Sequence, residues 1–410
     1  MNTPKIRFKG FKDAWEQRKF GDYNDLMTGY PFESDKFSED GIKLVRGMNV
    51  KRGYLDFSGD ICVKWNSCVG LENFLLKDGD ILIQMDGALI GKSYAKIKEN
   101  QLPALLVQRV TRARTNNKFA SQDFMYQTIQ RDFLRYIEMN KTETAVPHLS
   151  LNDIRNFEIM VPCLAEQKKI GEYFDSLDNL ITLHQRKCDE TKQLKKFMLQ
   201  KMFPKNGEKN PEIRFEGFTD DWEQRKLGEV SSKITKKNQD IVVDEVFTNS
   251  AEYGIISQRD FFDKDIANFE NIDGYYIVEP NDFVYNPRIS TTAPFGPIKR
   301  NKLERTGAMS PLYYVFRPHD IDLSYLECFF QTSCWHTFMR FNGNTGARSD
   351  RFAITDKVFD EMPISMPQDI EEQQKIGSYF SSLDNLITLH QRKCEKLKEL
   401  KKFMLQNMFV

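Results

Sequence analysis

The sequence SLDNLITLHQRKC occupies Ser176–Cys188 and recurs without a change at Ser382–Cys394. The sequence KKFMLQ follows both copies, at Lys195–Gln200 and at Lys401–Gln406. The period of this repeat is about half of the 410-residue chain, which is too long for a solenoid. We therefore expect a scaffold that has been duplicated once.

A second repeated block opens each half of the chain. PKIRFKGFKDAWEQRKFGD at Pro4–Asp22 matches PEIRFEGFTDDWEQRKLGE at Pro211–Glu229 at 13 of 19 positions. The stretches between the repeated blocks, Tyr23–Pro162 and Val230–Pro367, are nearly equal in length but barely resemble each other. We call these stretches the two inserts. Neutral drift is one explanation for their divergence, but drift alone should not spare the repeated blocks, so we expect two related tasks with different specificities.

The repeated blocks around the quoted sequence predict long helices. Glu166–Phe203 is free of proline and would form a rod of about 57 Å at 1.5 Å per residue. Residues that suit a helix seam recur at alternating steps of three and four, which is a coiled-coil spacing. The predicted seam residues are Phe174, Leu177, Ile181, His184, Cys188 and Thr191 in the first copy and Phe380, Leu383, Ile387, His390, Cys394 and Leu397 in the second. We predict that the two helices pair as an antiparallel coiled coil, which makes a pseudo-twofold internal repeat.

The polar seam residues leave a second interpretation open. A centred antiparallel register would bring His184, His390, Cys188 and Cys394 together, and two histidines with two cysteines form a common zinc site. We favour polar residues that set the register of the seam, and we predict no metal. The seven cysteines of the chain include no CxxC pair, which is typical of reduced, structural thiols.

Both inserts predict a mixed α/β fold. LKDGDILIQMDG at Leu76–Gly87 and VEPNDFVYNPR at Val278–Arg288 each place a turn before an apolar strand. QDFMYQTIQRDFLRYI at Gln122–Ile137 and LSYLECFFQTSCWHTFM at Leu323–Met339 are each predicted as an amphipathic helix. We therefore expect the inserts to be two versions of one fold with different surfaces.

The composition limits the location and the charge of the protein. Mean hydropathy is −0.56, no apolar run approaches the roughly 20 residues that span a bilayer, and the first residues are too polar for a secretory signal. We expect a cytoplasmic protein with no membrane association. Lys plus Arg equals Asp plus Glu at 59 each, so a DNA-binding chain would have to concentrate its cations on one face.

Catalytic motifs are missing from the sequence. GALIGKS at Gly87–Ser93 has three residues between its glycines, whereas a phosphate-binding P-loop needs four. YNPR at Tyr285–Arg288 lacks the second proline and the aromatic residue of an amino-methyltransferase motif. Neither a dinucleotide-binding glycine loop nor a nucleophile elbow is found. We therefore predict a non-catalytic chain.

Basic, amide and hydroxyl side chains in the inserts suit contact with DNA. Arginine and glutamine contact guanine and adenine edges, whereas lysine, serine and threonine suit phosphates. For any single one of them, an ordinary solvated surface residue is the simpler explanation, so the prediction concerns the clusters. The candidate residues are Lys92, Ser93, Gln108, Arg109, Arg112, Arg114 and Lys118 in the first insert and Asn286, Arg288, Ser290, Thr291, Thr292, Arg348 and Arg351 in the second, the last two within the stretch GNTGARSDR.

At this point the chain resembles the specificity subunit of a type I restriction–modification system. The segments that carry the resemblance open each half at Asp13–Asp22 and Asp220–Glu229. They continue into the entries of the long helices, VPCLAEQKKIGEYFDSLDNLI at Val161–Ile181 and MPQDIEEQQKIGSYFSSLDNLI at Met366–Ile387. Further resemblance lies in GDILIQMDGALIGK and in DFVYNPR with GAMSPLYYVFRP. These segments occur in the same order in both halves, and the resemblance covers essentially the whole chain.

The resemblance implies two target-recognition domains that each read one half of a bipartite double-stranded DNA site, with the helix pair setting the spacer. It also implies two adenine-N6 methyltransferase subunits and ATP-dependent restriction or translocase subunits as partners. S-adenosylmethionine, ATP and Mg would then be bound by the partners, and no cofactor by this chain. The domains expected on this basis are residues 1–162, a spacer helix at 163–203, a linker at 204–214, a second domain at 215–367 and a second spacer helix at 368–410.

Two other classes of function stay open. A standalone DNA methyltransferase or nuclease with degenerate motifs would bind the methyl donor without partners. An assembly adaptor would use the helices and inserts to bind proteins, and its complex would show no sequence-specific DNA binding.

Overall fold

The computed structural model describes residues 3–87, 90–140, 148–205, 207–261, 269–345 and 350–410. The chain forms two compact units. Unit 1 comprises Met1–Gln185 and Arg392–Val410, and unit 2 comprises Arg186–Gln391. Within the described residues, no helix is both long enough and apolar enough to cross a membrane.

Unit 1 combines short strands with helices. Its strands are β1 (Glu16–Lys19), β2 (Asn24–Thr28), β3 (Ile42–Val45), β4 (Lys64–Trp65), β5 (Ile81–Gln84), β6 (Tyr94–Lys96), β7 (Ala104–Leu106), β8 (Val110–Thr115) and β9 (Glu158–Val161). Its helices are α1 (Gln122–Thr128), α2 (Leu134–Asn140), α3 (Leu151–Asn156) and the first part of α4 (Leu164–Lys201).

Unit 2 contains the remainder of α4 and most of the last helix. Its strands are β10 (Glu223–Lys226), β11 (Ser231–Lys233), β12 (Val246–Ser250), β13 (Gly254–Ser257), β14 (Tyr276–Val278), β15 (Phe283–Tyr285), β16 (Ile298–Arg300), β17 (Gly307–Met309), β18 (Tyr314–Pro318) and β19 (Pro363–Met366). Its helices are α5 (Leu227–Val230), α6 (Gln258–Phe261), α7 (Leu323–Phe329), α8 (His336–Asn342), α9 (Asp356–Asp360) and α10 (Ile370–Asn407), whose last part belongs to unit 1.

The sheets of the two units have matching strand orders. One sheet has the order β2-β8-β5-β6 in unit 1 and β11-β18-β15-β16 in unit 2. A second sheet contains a parallel pair, β3 with β7 in unit 1 and β12 with β17 in unit 2. A two-stranded sheet pairs β1 with β9, and β10 with β19. The mixed α/β fold with two related domains is therefore confirmed, although the predicted domain limits themselves stay a prediction.

The long helices pair antiparallel within each unit. In unit 1, Asp178 bonds Lys401 at 2.6 Å and the Cys394 thiol lies 4.0 Å from the Ile181 carbonyl oxygen. In unit 2 the same positions of the repeat meet, because Lys195 bonds Asp384 at 2.5 Å and the Cys188 thiol lies 4.0 Å from the Ile387 carbonyl oxygen.

The predicted seam residues are the less exposed positions of both helices. Phe174, Leu177 and Cys188 are buried, as are Phe380, Leu383 and Cys394. Ile181, His184, Ile387 and His390 are half-buried. Among the residues that the structure describes, no group of three His, Cys, Asp or Glu side chains is arranged to hold a metal ion.

The entry of each long helix is fixed by a glutamate and a glutamine. In unit 1, Glu166 is fully buried and accepts two hydrogen bonds from Arg7, at 2.7 and 2.8 Å. Gln167 accepts from the Ser121 backbone N–H at 3.0 Å and donates to the Pro162 carbonyl at 2.9 Å. These bonds join α4 to the segment before α1 and to the strand before α4, which explains why the motif EQ opens the helix.

Unit 2 repeats this arrangement. Glu372 accepts two bonds from Arg214, at 2.7 and 2.8 Å, and a third from the Trp222 indole at 3.4 Å. Gln373 accepts from the Asp322 N–H at 2.9 Å and donates to the Pro367 carbonyl at 2.8 Å. The repeated sequence therefore encodes the same hydrogen bonds twice.

The ends of the long helices contribute to the cores of both units. Met202 and Phe203 follow α4 and are buried in the core of unit 2, where Phe203 packs on Tyr325 with ring centroids 5.6 Å apart. Met408 and Phe409 follow α10 and are buried in the core of unit 1, where Phe409 stacks on Phe124 at 5.3 Å.

The two amphipathic helices predicted in the inserts are interrupted. Gln122–Ile137 consists of α1, a π-helical turn at Ile129–Phe133, and α2. Leu323–Met339 consists of α7 and α8 with a break between them. At that break the Thr332 hydroxyl donates to the Phe329 carbonyl at 2.7 Å and accepts from the Cys334 N–H at 3.2 Å. A threonine that bonds the neighbouring backbone in this way competes with the helix, which explains the interruption.

Candidate DNA-reading surface

The two units present different side chains at one equivalent position. β5 and β15 are the third strands of matching sheets, and each is followed by an isolated bridge to a later segment. A residue one or two positions after the strand accepts a backbone bond in both units. Leu149 N–H donates to the Met85 carbonyl at 2.7 Å, and Phe352 N–H donates to the Pro287 carbonyl at 2.8 Å. We call the end of this strand, together with the residues that bridge or contact it, the strand-end site of each unit.

In unit 1 the strand-end site is formed by an acid, an arginine and a histidine. Asp86 forms a backbone bridge with His148, and its carboxylate accepts a 2.7 Å hydrogen bond from Nη1 of Arg109. The Arg109 side chain is 67% exposed. The amide of Gln84 lies beside Gly47 and Gly87, because a Cβ atom at those glycines would lie 3.2 and 3.5 Å from its Nε2 atom.

In unit 2 the same site is formed by two arginines. Arg288 is exposed and forms a backbone bridge with the half-buried Arg351. A short turn follows Arg288, in which Ser290 and Ala293 exchange backbone hydrogen bonds at 3.0 and 3.2 Å. The Ser290 and Thr292 hydroxyls lie 3.2 Å apart and are exposed, so polar groups extend outward from the arginines.

Most of the other predicted DNA contacts fall into an exposed and a buried group. The exposed residues are Lys92, Gln108, Lys118, Thr291 and Thr292. The buried residues are Ser93 and Asn286, and the Asn286 amide donates to the Asn249 carbonyl at 2.8 Å. Arg348 lies outside the described residues.

Arg112 and Arg114 are each engaged in an ion pair with an aspartate. Arg112 is buried and pairs with Asp25, and burial lowers the pKa of its guanidinium. Arg114 donates two hydrogen bonds to the buried Asp80, at 2.7 and 2.6 Å, and these bonds raise the pKa of Arg114.

The Arg114 pair recurs at the equivalent place in unit 2. Arg317 donates two hydrogen bonds to the buried Asp282, at 2.7 and 3.0 Å. An interaction that both domains share cannot account for a difference between them. We therefore build the proposed surface without Ser93, Arg112 and Asn286, whose side chains are buried. Arg114 is also left out, because it is half-buried and donates two hydrogen bonds to the buried Asp80.

Three residues of the strand-end site were not among the sequence candidates. Gln84 and Asp86 lie inside the quoted strand motif of the first insert, and His148 follows residues outside the described part of the chain. The signal for the first two was their place at the end of an apolar strand, at the positions that Asn286 and Arg288 occupy in the other insert. No pattern in the sequence marks His148.

The helices carry a second repeated surface, which consists of exposed apolar side chains. In unit 1 these are Leu180, Leu400 and Phe403, near the ion pair of Asp178 with Lys401. In unit 2 the equivalent residues of the repeat occur near the ion pair of Lys195 with Asp384. They are Leu386, Leu194 and Phe197. We call these two sets the helix patches.

Comparison with known proteins gives a consistent result. The family described as Type I restriction modification DNA specificity domain matches this chain twice, at residues 12–193 and 219–399. The type I restriction enzyme EcoAI specificity subunit of Escherichia coli is 27% identical over 168 residues, which are 40% of this chain and 28% of that protein. The MjaVIII specificity subunit of Methanocaldococcus jannaschii is 26% identical over 188 residues, or 45% of this chain and 44% of that protein. The chain thus matches less than half the length of these two relatives.

A solved structure has the same fold over its whole length. The type I restriction–modification S subunit from M. genitalium superposes with a TM-score of 0.67 at 14% identity, covering 100% of this chain and 99% of that one. The identity is low, so this likeness concerns the fold alone. The two family matches together span most of the 410 residues. This chain belongs to the type I restriction–modification DNA specificity family.

Proposed function

We propose that this chain reads a bipartite double-stranded DNA sequence, with one half-site for each domain, and catalyses no reaction itself. The observation that carries the proposal is the strand-end site, where one backbone arrangement presents Asp86 and Arg109 in unit 1 but Arg288 and Arg351 in unit 2. Two domains of the same topology with different polar groups at an equivalent exposed position are suited to two different sequences.

We propose further that the paired helices set the spacer between the half-sites. Half-sites one turn of DNA apart are separated by about 34–36 Å. α4 and α10 contain 38 residues each, and a helix of that length extends about 57 Å. Either helix is therefore long enough to bridge such a separation.

The helix patches support the docking of two copies of one partner. Leu180, Leu400 and Phe403 are 41–52% exposed, and their counterparts in the repeat are exposed to the same degree. Apolar side chains repeated on two surfaces favour two copies of the same partner over two unrelated ones. We propose that the partners are adenine-N6 methyltransferase subunits, which bind S-adenosylmethionine. Restriction or translocase subunits that use ATP and Mg would join them, in the cytoplasm.

The test is a single-molecule map of N6-methyladenine in the host genome with this gene intact and with it deleted. We expect deletion to remove methylation at one split motif, which consists of two short half-sites around a fixed gap. If the map is unchanged although the partner methyltransferase is expressed, the chain does not direct methylation, and the assembly adaptor becomes the better interpretation.

A double variant separates docking from DNA reading. Phe403→Ser with Phe197→Ser alters both helix patches and leaves the strand-end site intact. We expect this double variant to lose the partner subunits in co-purification and to lose methylation at the whole motif. A methyl donor bound by the purified chain alone would instead favour a standalone methyltransferase.

A further inference from the structure

We infer that the strand-end site is the base-reading position of each domain, and that Arg109, oriented by Asp86, contacts a guanine in one half-site. This inference rests on the proposed function and deepens it. It assigns a positioning role to Asp86, which was not among the residues selected from the sequence.

The backbone of Arg109 supports a functional role. Its φ angle is +69°, in the left-handed region that side chains other than glycine rarely adopt. Such a conformation costs about 1–3 kcal/mol and persists where the surroundings hold it in place. Here the Arg109 carbonyl accepts the Met85 N–H at 2.9 Å, and the preceding Gln108 N–H donates to Tyr30 at 2.9 Å. These two hydrogen bonds hold the strained backbone of Arg109 in place beside the end of β5.

Stability does not explain the pair of Arg109 with Asp86. The arginine side chain is 67% exposed and the aspartate 19% exposed. An ion pair with so exposed a partner contributes little to folding, typically below about 1 kcal/mol. Its effect is rather to restrict the directions in which the guanidinium points.

The acid partner favours a base over a phosphate as the ligand of Arg109. A guanidinium carries five N–H donors, and the bond to Asp86 engages Nη1. The remaining donors suit the O6 and N7 acceptors of guanine, which form the commonest specific arginine contact. A phosphate would be repelled by the carboxylate 2.7 Å away from Nη1, whereas a neutral base edge is not.

Unit 2 presents a different chemistry at the same position. Arg288 and Arg351 oppose each other across a backbone bridge, and neither forms an ion pair with any residue that the structure describes. Like charges placed opposite each other destabilise a pair of strands. A ligand with acceptor oxygens relieves that repulsion, so this site suits guanine edges together with phosphates. The two domains would then require different half-sites.

The experiment uses the full chain in complex with its methyltransferase subunits, supplied with a DNA library in which both half-sites are randomised. Arg109→Gln and Arg288→Gln are compared with the unchanged chain, and Arg18→Gln is the matched control. Arg18 is 50% exposed and pairs with Glu16, but it lies on β1, which belongs to a different sheet from β5. The readouts are the methylated sequences and the binding constant at several salt concentrations.

We expect Arg109→Gln to relax one G·C position in one half-site. Affinity for the original site should fall about 5- to 150-fold, the equivalent of the ~1–3 kcal/mol that a bidentate base contact contributes. The other half-site and the spacer should not change. Arg288→Gln should alter the other half-site alone, and Arg18→Gln should leave both as they are.

Asp86 is a positioning residue, and its test is a double-mutant comparison. Asp86→Asn should weaken discrimination at the base pair that Arg109 reads, and it should have no further effect once Arg109→Gln is present. An acid with a purely structural role would add its own effect in both backgrounds.

Two results would overturn the inference. The first is an unchanged motif in Arg109→Gln. The second is an equal loss of affinity for every sequence with a smaller salt dependence, which is the mark of a phosphate contact. If instead the unchanged complex methylates no split motif, the proposed function itself fails, so the two failures can be told apart.

Discussion

Gly171 and Gly377 are equivalent residues of the repeat at which a long helix lies against the start of another helix. A Cβ atom at Gly171 would lie 2.8 Å from Asp123 Cβ and 3.0 Å from the Phe124 backbone nitrogen. At Gly377 it would lie 2.7 Å from Ser324 Cβ and 2.9 Å from the Tyr325 nitrogen. None of these atoms is the end of a flexible side chain, so the helices would have to move apart.

We predict that Gly171→Ala and Gly377→Ala each lower the free energy of unfolding by about 1–3 kcal/mol. Alanine gains about 1 kcal/mol as a better helix former, but overpacking and disturbance of the neighbouring N-cap outweigh that gain. Thermal unfolding measures the change, and hydrogen exchange shows which unit is affected. Gly274→Ala is the control, since a Cβ atom there meets nothing within 4 Å. Unchanged stability in the first two variants would mean that the helices adjust without cost.

The arginines of the two inserts show how far residue type alone predicts the strand-end site. Residue type drew attention to Arg109, Arg288 and Arg351, which all lie at this site, and their contact with DNA stays a prediction. The same reasoning also selected Arg114, which is engaged with Asp80. The two kinds of arginine cannot be separated from sequence alone, because burial depends on which acid the folded chain places opposite each one.

At the scale of elements, the ends of α4 and α10 are as important as their seams. Phe409 packs against Trp15, Phe124 and Phe174 with ring centroids 5.3–5.9 Å apart. Phe203 has the equivalent place in the core of unit 2. Each phenylalanine therefore adds to the core of its unit a side chain that is distant in sequence from most of the other core residues.

We predict that Phe409→Ala and Phe203→Ala each cost about 3–5 kcal/mol of folding stability, because each leaves a cavity among aromatic rings. Denaturant unfolding of the purified protein measures the loss. Phe403→Ala and Phe197→Ala serve as matched controls, since those rings are about half exposed and should change stability by no more than about 0.5 kcal/mol. A similar loss in all four variants would mean that the helix patches are structural.

The elements that could be predicted are those with a regular period. The seam spacing predicted both long helices, whose observed bounds are Leu164–Lys201 and Ile370–Asn407. The breaks within the insert helices could not be predicted, because a local bond such as that from Thr332 to Phe329 overrides an otherwise helical pattern. The packing of Phe203 and Phe409 was also not predicted, because the similarity of two repeated segments does not indicate in which hydrophobic core each of them is buried.

At the scale of the whole molecule, the proposed spacer function depends on the length of the helices. We predict that seven residues inserted between Gln185 and Arg186, and seven between Gln391 and Arg392, lengthen the recognised spacer and leave both half-sites unchanged. Seven residues preserve the seam and add about 10 Å of helix, which is about three base pairs. Methylation mapping measures the spacer. An unchanged spacer in a folded, active variant would show that the helices do not set it.

The contribution of Met408 and Phe409 to unit 1 has a consequence for the order of events at the ribosome. Unit 2 is one continuous stretch of chain, whereas unit 1 needs residues that are synthesised after all of unit 2. At 5–20 residues per second, the ribosome takes on the order of 10–40 s to make the second half of the chain. The domain that emerges first therefore remains without part of its core throughout that time and finishes folding last. A truncation that removes Met408 and Phe409 would therefore destabilise unit 1, although most of that unit is synthesised first.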